Sequence, residues 1–110
     1  MIEIRQVRAG EGLRVKEVRL RALQADPQAF SSTYQEEAAL PDSTWEQRAI
    51  MVAEGRDAVT FVAEEDGAWL GIVFAYQEKS APDTVDVAGL WVDPKARRQN
   101  AARRLLDAVV

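Results

Sequence analysis

The sequence predicts a single α/β (α+β) domain, ordered β-α-α-β-β-β-α, with helices packed on a sheet. Three observations predict it. Apolar residues recur at helical spacing in three segments, β-rich runs flank a hairpin dipeptide near the middle, and 110 residues suffice for one core.

The elements follow in order. Ile2, Ile4 and Val7 around Glu3, Arg5 and Gln6 read as a first strand whose alternation slips at its end. From Gly12 to Ala25, the residues Val15, Val18, Ala22 and Ala25 mark one helical face, and Glu17 stands four residues before Arg21 as a surface pair. Asp26-Pro27 stops that helix. The polar stretch that runs on from Gln28 through Glu37 to Pro41 has no decisive period. Ser43-Thr44-Trp45-Glu46 then reads as a capping box opening a second helix. Trp45, Ala49, Val52 and Ala53 form its apolar face, and Gly55 is placed to cap its C-terminus. Ala58 to Glu64 and Ala68 to Tyr76 are strand-like runs around Asp66-Gly67, a dipeptide suited to a tight hairpin.

The last strand, Thr84 to Val92, is irregular: Val85 and Val87 share one parity, Leu90 and Val92 the other. Two readings fit, a bulge near Ala88-Gly89 or an ordinary strand buried on both faces, with Gly89 and Trp91 continuing the first parity. Beyond Pro94, the residues Ala102, Leu105, Leu106 and Val109 fall at i, i+3, i+4 and i+7, the stripe of a helix lying on a sheet.

Composition excludes several kinds of chemistry. There is no cysteine and no histidine. Disulfides, thiolate metal sites, cysteine nucleophiles, the usual zinc sites and imidazole bases are thereby removed. A general base must be a carboxylate, a tyrosine, a lysine or a positioned water. The 14 basic and 18 acidic residues are unevenly spread, since Lys95 to Arg104 holds five basic residues and no acid. An acidic body with aromatic residues at only 7% argues against nucleic acid, while a compact basic knot suits a small anion. The apolar runs are short and Met1-Ile2-Glu3-Ile4-Arg5 lacks an export pattern, so the expectation is a soluble, cytoplasmic protein without a membrane partner.

The segment from Leu90 to Leu106 runs strand, basic loop, helix start. A helix N-terminus presents unpaired amides and a positive dipole end, so such a loop is either a phosphate site or a solvated cap. Val92, Pro94, Arg97 and Ala102 match V-x-P-x-x-R-G-x-G-x-G/A, the acetyl-CoA signature of the GNAT superfamily of N-acetyltransferases, with Arg98 and Asn100 standing where the signature has its central glycines. Asp26-Pro27-Gln28-Ala29-Phe30-Ser31-Ser32-Thr33-Tyr34-Gln35-Glu36-Glu37 resembles the D-P-x-A-F-x-S-T-x-x-E-E stretch of many bacterial members. The element order is similar too, so the chain resembles this superfamily over its whole length.

That resemblance implies a GNAT-like mixed, mainly antiparallel sheet and acetyl-CoA as co-substrate, with no metal. It implies that Leu90, Trp91 and Val92 line the pantetheine arm, and that Arg97, Arg98, Gln99, Asn100, Ala101 and Ala102 hold the pyrophosphate, with Arg103 as a further phosphate contact. Asparagine tolerates left-handed backbone angles, which suits Asn100 to a glycine position. Asp86 is the candidate catalytic carboxylate, by its place on the fourth strand. Phe30 and Tyr34 are candidates for the rim of the acceptor cleft, while Glu36 and Glu37 read as loop surface. The acceptor is expected to be a small-molecule or peptide primary amine. A non-catalytic CoA-binding or degenerate module is the competing reading, and an RNA-binding helix ranks below both.

The chain stops at Ala108-Val109-Val110, inside a helix and with no capping glycine. Relatives continue into another strand, a helix and a hairpin, so the expectation is one domain over 1–110 that lacks the C-terminal part of its fold. The fourth strand would then offer an open edge, a geometry that favours a homodimer.

Overall fold

The Asp66-Gly67 turn organises the sheet in the computed structural model, which describes residues 2–29, 33–55, 58–78 and 81–109, without the side chains of Ala29, Glu78, 81–84 and 97–99. Both turn residues have positive φ, 52° and 82°, the pair of left-handed conformations that a two-residue hairpin needs. They join β2 (Ala58–Glu65) to β3 (Ala68–Glu78). With β1 (Glu3–Gln6) and β4 (Ala81–Val92) they make a four-stranded sheet in the order β1-β2-β3-β4, antiparallel at each of these pairings.

The sheet separates two cores. On one face α1 (Gly12–Ala25) and α3 (Asp42–Glu54) bury Val15, Val18, Ala22, Trp45 and Ala49 against Val62, Trp69, Ile72 and Trp91. On the other, α4 (Ala101–Val109) buries Ala101, Leu105 and Val109 against Ala63, Val73, Ala75 and Val92. Full burial of a Leu or Val side chain stabilises by about 1.5–3 kcal/mol, so Leu105 alone is a substantial anchor for α4. Among the described residues no helix is long and apolar enough to cross a membrane.

Several expectations shift by tertiary contact. On α1, Leu23 is buried and Ala25 exposed, which turns the apolar face away from the expected stripe at its end. The Glu17–Arg21 pair does not form among the described ion pairs, because Arg21 reaches inward to the Trp69 carbonyl and to Asp93, 3.8 Å away. The capping box at Ser43 is also not used. Helix α3 starts at Asp42 with Pro41 as its cap residue, and Glu46 Oε1 accepts the Leu13 amide at 3.1 Å, capping the start of α1 instead. Gly12 permits this close approach: a Cβ there would lie 2.5 Å from the Trp45 carbonyl oxygen.

A short helix, α2 (Tyr34–Ala38), lies in the stretch that the sequence left undecided. Thr33 Oγ1 accepts the Glu36 amide at 3.2 Å and donates to Glu36 Oε1 at 2.9 Å, so the T-x-x-E pattern caps this helix. The parity slip in β4 is a bulge. Phe74 pairs with Gly89 and Ala75 with Val87, leaving Ala88 as the extra residue. Val85 and Val87 thereby return to the α4 side of the sheet with Leu90 and Val92.

Candidate acetyl-CoA and acceptor site

From β4 the chain turns sharply. Asp93 Oδ1 accepts the Lys95 amide at 2.9 Å, Pro94 starts a 3-10 helix (Pro94–Gln99), and Ala96 is fully buried beneath it. Asn100 ends this turn at φ 58°, ψ 25°, the left-handed conformation that asparagine accepts more readily than most residues. Helix α4 begins at once: the Arg104 amide bonds the Asn100 carbonyl at 3.0 Å, so the amides of Ala101, Ala102 and Arg103 lie in the first turn, before the i→i−4 ladder starts. Ala101 has no exposed surface, Ala102 is half-buried and Arg103 is exposed, so the reachable surface of this helix start lies at Ala102 and Arg103. The positive end of the helix dipole and the neighbouring basic residues make this corner favourable for an anion.

The outer edge of β4, the last strand of the sheet among the described residues, leads into that corner. The Asp93 amide donates to the Leu70 carbonyl at 2.8 Å, which fixes the hydrogen-bonding phase of the β3–β4 pair. Alternation then turns the main-chain groups of Trp91 and Gly89 toward β3, and those of Val92 and Leu90 away from it, to the outer side of β4. The Trp91 side chain is committed as well. It is 4% exposed, on the α1 face, and donates its indole N–H to Asp26 Oδ2 at 2.9 Å. Arg21 lies over its ring, 5.3 Å from the centroid.

On the α1–α3 face, a cavity of about 500 Å³ opens between the helices and the sheet. Its lining includes Val15, Leu40, Trp45, Ala49, Val52 and Phe74, together with the bulge residue Ala88. Arg19 crosses it with a two-point ion pair to Glu37, at 3.0 and 3.1 Å, and sits over the Phe74 ring at 5.2 Å. Glu36 and Arg48 also line the cavity, as does the buried Thr60. The bulge therefore joins two features, since Ala88 lines the cavity while Leu90 and Val92 continue along β4 toward the turn.

The candidates from the sequence are distributed unevenly over this arrangement. Leu90, Val92, Asn100, Ala101 and Ala102 fall along one continuous path of edge and helix start. Trp91 is on that path by position, but its side chain supports the sheet from behind. The backbone of Arg97, Arg98 and Gln99 forms the 3-10 turn, and their side chains lie outside the described part. Arg103 projects into solvent and lies 4.0 Å from Asp107 one turn on. Asp86 is half-buried opposite Tyr76, on the cavity side of the sheet but beyond the residues that line the cavity. Tyr34, 40% exposed, is not a lining residue either, and Phe30 lies outside the described residues.

Glu37 is a correction. Far from loop surface, it is on α2, 7% exposed and ion-paired to Arg19. Sequence reasoning missed Arg19, Arg48 and Thr60 altogether. Arg19 and Arg48 sit on helices between apolar positions, where an arginine ordinarily reads as a solvated face; only the packing of α1, α2 and α3 brings them to one cavity.

The family model described as the acetyltransferase (GNAT) family matches residues 20–110. The L-2,4-diaminobutyric acid acetyltransferase of Chromohalobacter salexigens is 34% identical over 61 residues, which cover 56% of this chain and 32% of that protein. The chain thus matches about a third of the length of this relative. Among solved structures, PaiA N-acetyltransferase from Thermoplasma acidophilum with coenzyme A superposes with a TM-score of 0.75 at 14% identity, over 98% of this chain and 69% of that one. Diaminobutyrate acetyltransferase EctA from Paenibacillus lautus, with its substrate and coenzyme A, gives 0.69 at 20% identity, over 99% and 56%. A family match across most of the sequence, on a fold shared with these structures, means that the chain belongs to the GNAT family of acetyltransferases.

Proposed function

We propose that this chain forms the acetyl-CoA-binding part of an N-acetyltransferase that acts in the cytoplasm on a primary amine. The observation that carries the reading is the continuity of three backbone features: the bulge at Ala88, the outward main-chain groups of Leu90, and the start of α4 at Ala101 to Arg103. They fit the group. An unpaired strand edge can pair an amide-bearing arm, and a helix start beyond it can hold a diphosphate. In this assignment Leu90 and Val92 bind the pantetheine arm and the turn from Arg97 to Ala102 holds the pyrophosphate, with Arg103 adding charge.

Bound acetyl-CoA would supply an activated thioester carbonyl. The chain's own groups orient the acceptor and handle its proton. An alkyl amine with a pKa near 10.4 is mostly protonated at neutral pH, so freeing its lone pair costs about 4–5 kcal/mol. Asp86, on the cavity side of β4, is the proposed proton acceptor, directly or through water. The bulge interrupts the β3–β4 ladder at Ala88, and backbone amides near it are the proposed stabilisers of negative charge on the carbonyl oxygen. The small-molecule amines acted on by the diaminobutyrate and aminoglycoside acetyltransferases similar to this chain support an amine acceptor here.

Calorimetry tests the binding half of this reading. Arg97→Glu, with the fold intact by circular dichroism, is expected to weaken CoA binding tenfold or more; unchanged affinity removes the pyrophosphate from this turn. Turnover of acetyl-CoA against a panel of amines then separates an enzyme from a module that only binds CoA.

A further inference from the structure

The cavity between α1, α2, α3 and the sheet carries a charge pattern that narrows the acceptor. Its surroundings are not simply acidic, although the chain as a whole carries a net charge of −4. Arg19 and Glu37 neutralise each other through a two-point pair. What remains on the lining, among the described residues, is one acid, Glu36, and one base, Arg48. Glu36 keeps its carboxylate, with one oxygen accepting the Thr33 hydroxyl at 2.9 Å. Arg48 is exposed, stacks over the Trp45 ring at 5.5 Å, and has no carboxylate within ion-pair range among the described residues. Trp45, one helical turn away on α3, adds a buried indole N–H with no hydrogen-bond partner. Two donors on α3 thus lack an acceptor, and the floor between α2 and α3 is apolar.

A polycation gains little from such a lining, because its single unneutralised acid is balanced by Arg48. An amine that also carries a carboxylate matches both residues. Its anionic group meets a planar guanidinium already held over a ring, its ammonium meets Glu36, and its carbon body covers the apolar floor. We infer that the acceptor is an amino-carboxylate, a compact zwitterion with a partly apolar body, and that Arg48 recognises its carboxylate. This rests on the acetyltransferase reading above, yet its test does not require turnover.

Binding is measured by calorimetry on the full chain with CoA present, using two pairs of probes that differ only by the carboxylate: L-phenylalanine with 2-phenylethylamine, and L-2,4-diaminobutyrate with 1,3-diaminopropane. The expected result is that at least one carboxylate-bearing member binds tenfold or more tighter than its decarboxylated counterpart. Arg48→Gln is expected to remove that preference without lowering the melting temperature, since Arg48 is exposed. Equal binding within both pairs, including no binding of any probe, overturns the inference, and so does a preference that survives in Arg48→Gln. Titration of CoA alone reports separately on the acetyltransferase reading: CoA binding without carboxylate preference leaves that reading standing and removes this one.

Discussion

Trp91 donates its indole N–H to Asp26 Oδ2 at 2.9 Å, tying the strand of the proposed thioester site to the end of α1. The two residues are 65 apart in sequence, and each lies in one of the two segments that resemble the family. The bond holds β4 from behind, on the α1 face of the sheet. Asp26→Ala leaves a buried indole N–H unpaired and is expected to cost about 1.5–3 kcal/mol, read as a lower urea midpoint. Asp26→Asn, which keeps an acceptor oxygen, should lose less.

Asn100 substitutes for glycine by adopting the left-handed backbone itself. Asn100→Gly is therefore expected to leave stability and CoA affinity near those of the wild type. Asn100→Val places a β-branched residue at φ 58° and should destabilise by at least about 1–2 kcal/mol. Chemical denaturation of the three proteins side by side checks the order.

Acid sensitivity follows from the cluster that joins β1, the start of α1 and β2. Arg5 bonds Glu11 at 2.9 and 2.7 Å and Glu64 at 3.2 and 3.3 Å, and Glu64 also accepts the Trp69 indole N–H at 2.8 Å. The Arg5 hydrogen bond, against the opposing effect of burial, lowers the Glu11 pKa from 4.5 to about 2, and Arg5 and Trp69 lower that of Glu64. A carboxylate whose folded pKa is depressed contributes stability above its unfolded pKa and loses it as pH falls toward the folded one. The melting temperature should therefore drop from about pH 4.5 down to about pH 2, and Glu11→Gln should flatten part of that slope while lowering stability at neutral pH.

If Asp86 takes the acceptor's proton, Asp86→Asn lowers kcat by about 10²–10⁴-fold. Full turnover from pH 6 to 9 in that variant would assign the proton to another group.

Local chemistry made much of this fold legible. Asp66-Gly67 admits few alternatives as a hairpin, Gly55 adopts the left-handed cap that its position suggested, and the bulge at Ala88 is one of the two readings that the parity slip in β4 left open. The misses are tertiary. Glu46 can cap its own helix or the neighbouring one, and only the close contact at Gly12 decides for Leu13. Arg21 has an acid four residues away, yet the open side of Trp91 draws it inward. The same holds at the candidate site. The path from Leu90 to Ala102 is contiguous in sequence and could be read there, whereas the cavity assembles Arg19, Glu37 and Arg48 from three helices and has no linear signature.

The central claim is that the edge at Leu90 and Val92 and the helix start at Ala101 to Arg103 form one acetyl-CoA site. Amide hydrogen exchange read by NMR on the full chain, with and without CoA, tests it at single-residue resolution. The account predicts that CoA slows exchange at Leu90 and Val92 and shifts the amide resonances of Ala101, Ala102 and Arg103, with Trp91 little changed because its amide already faces β3. Unaltered exchange at Leu90 and Val92 under saturating CoA, or resonance shifts confined to other parts of the chain, would contradict it.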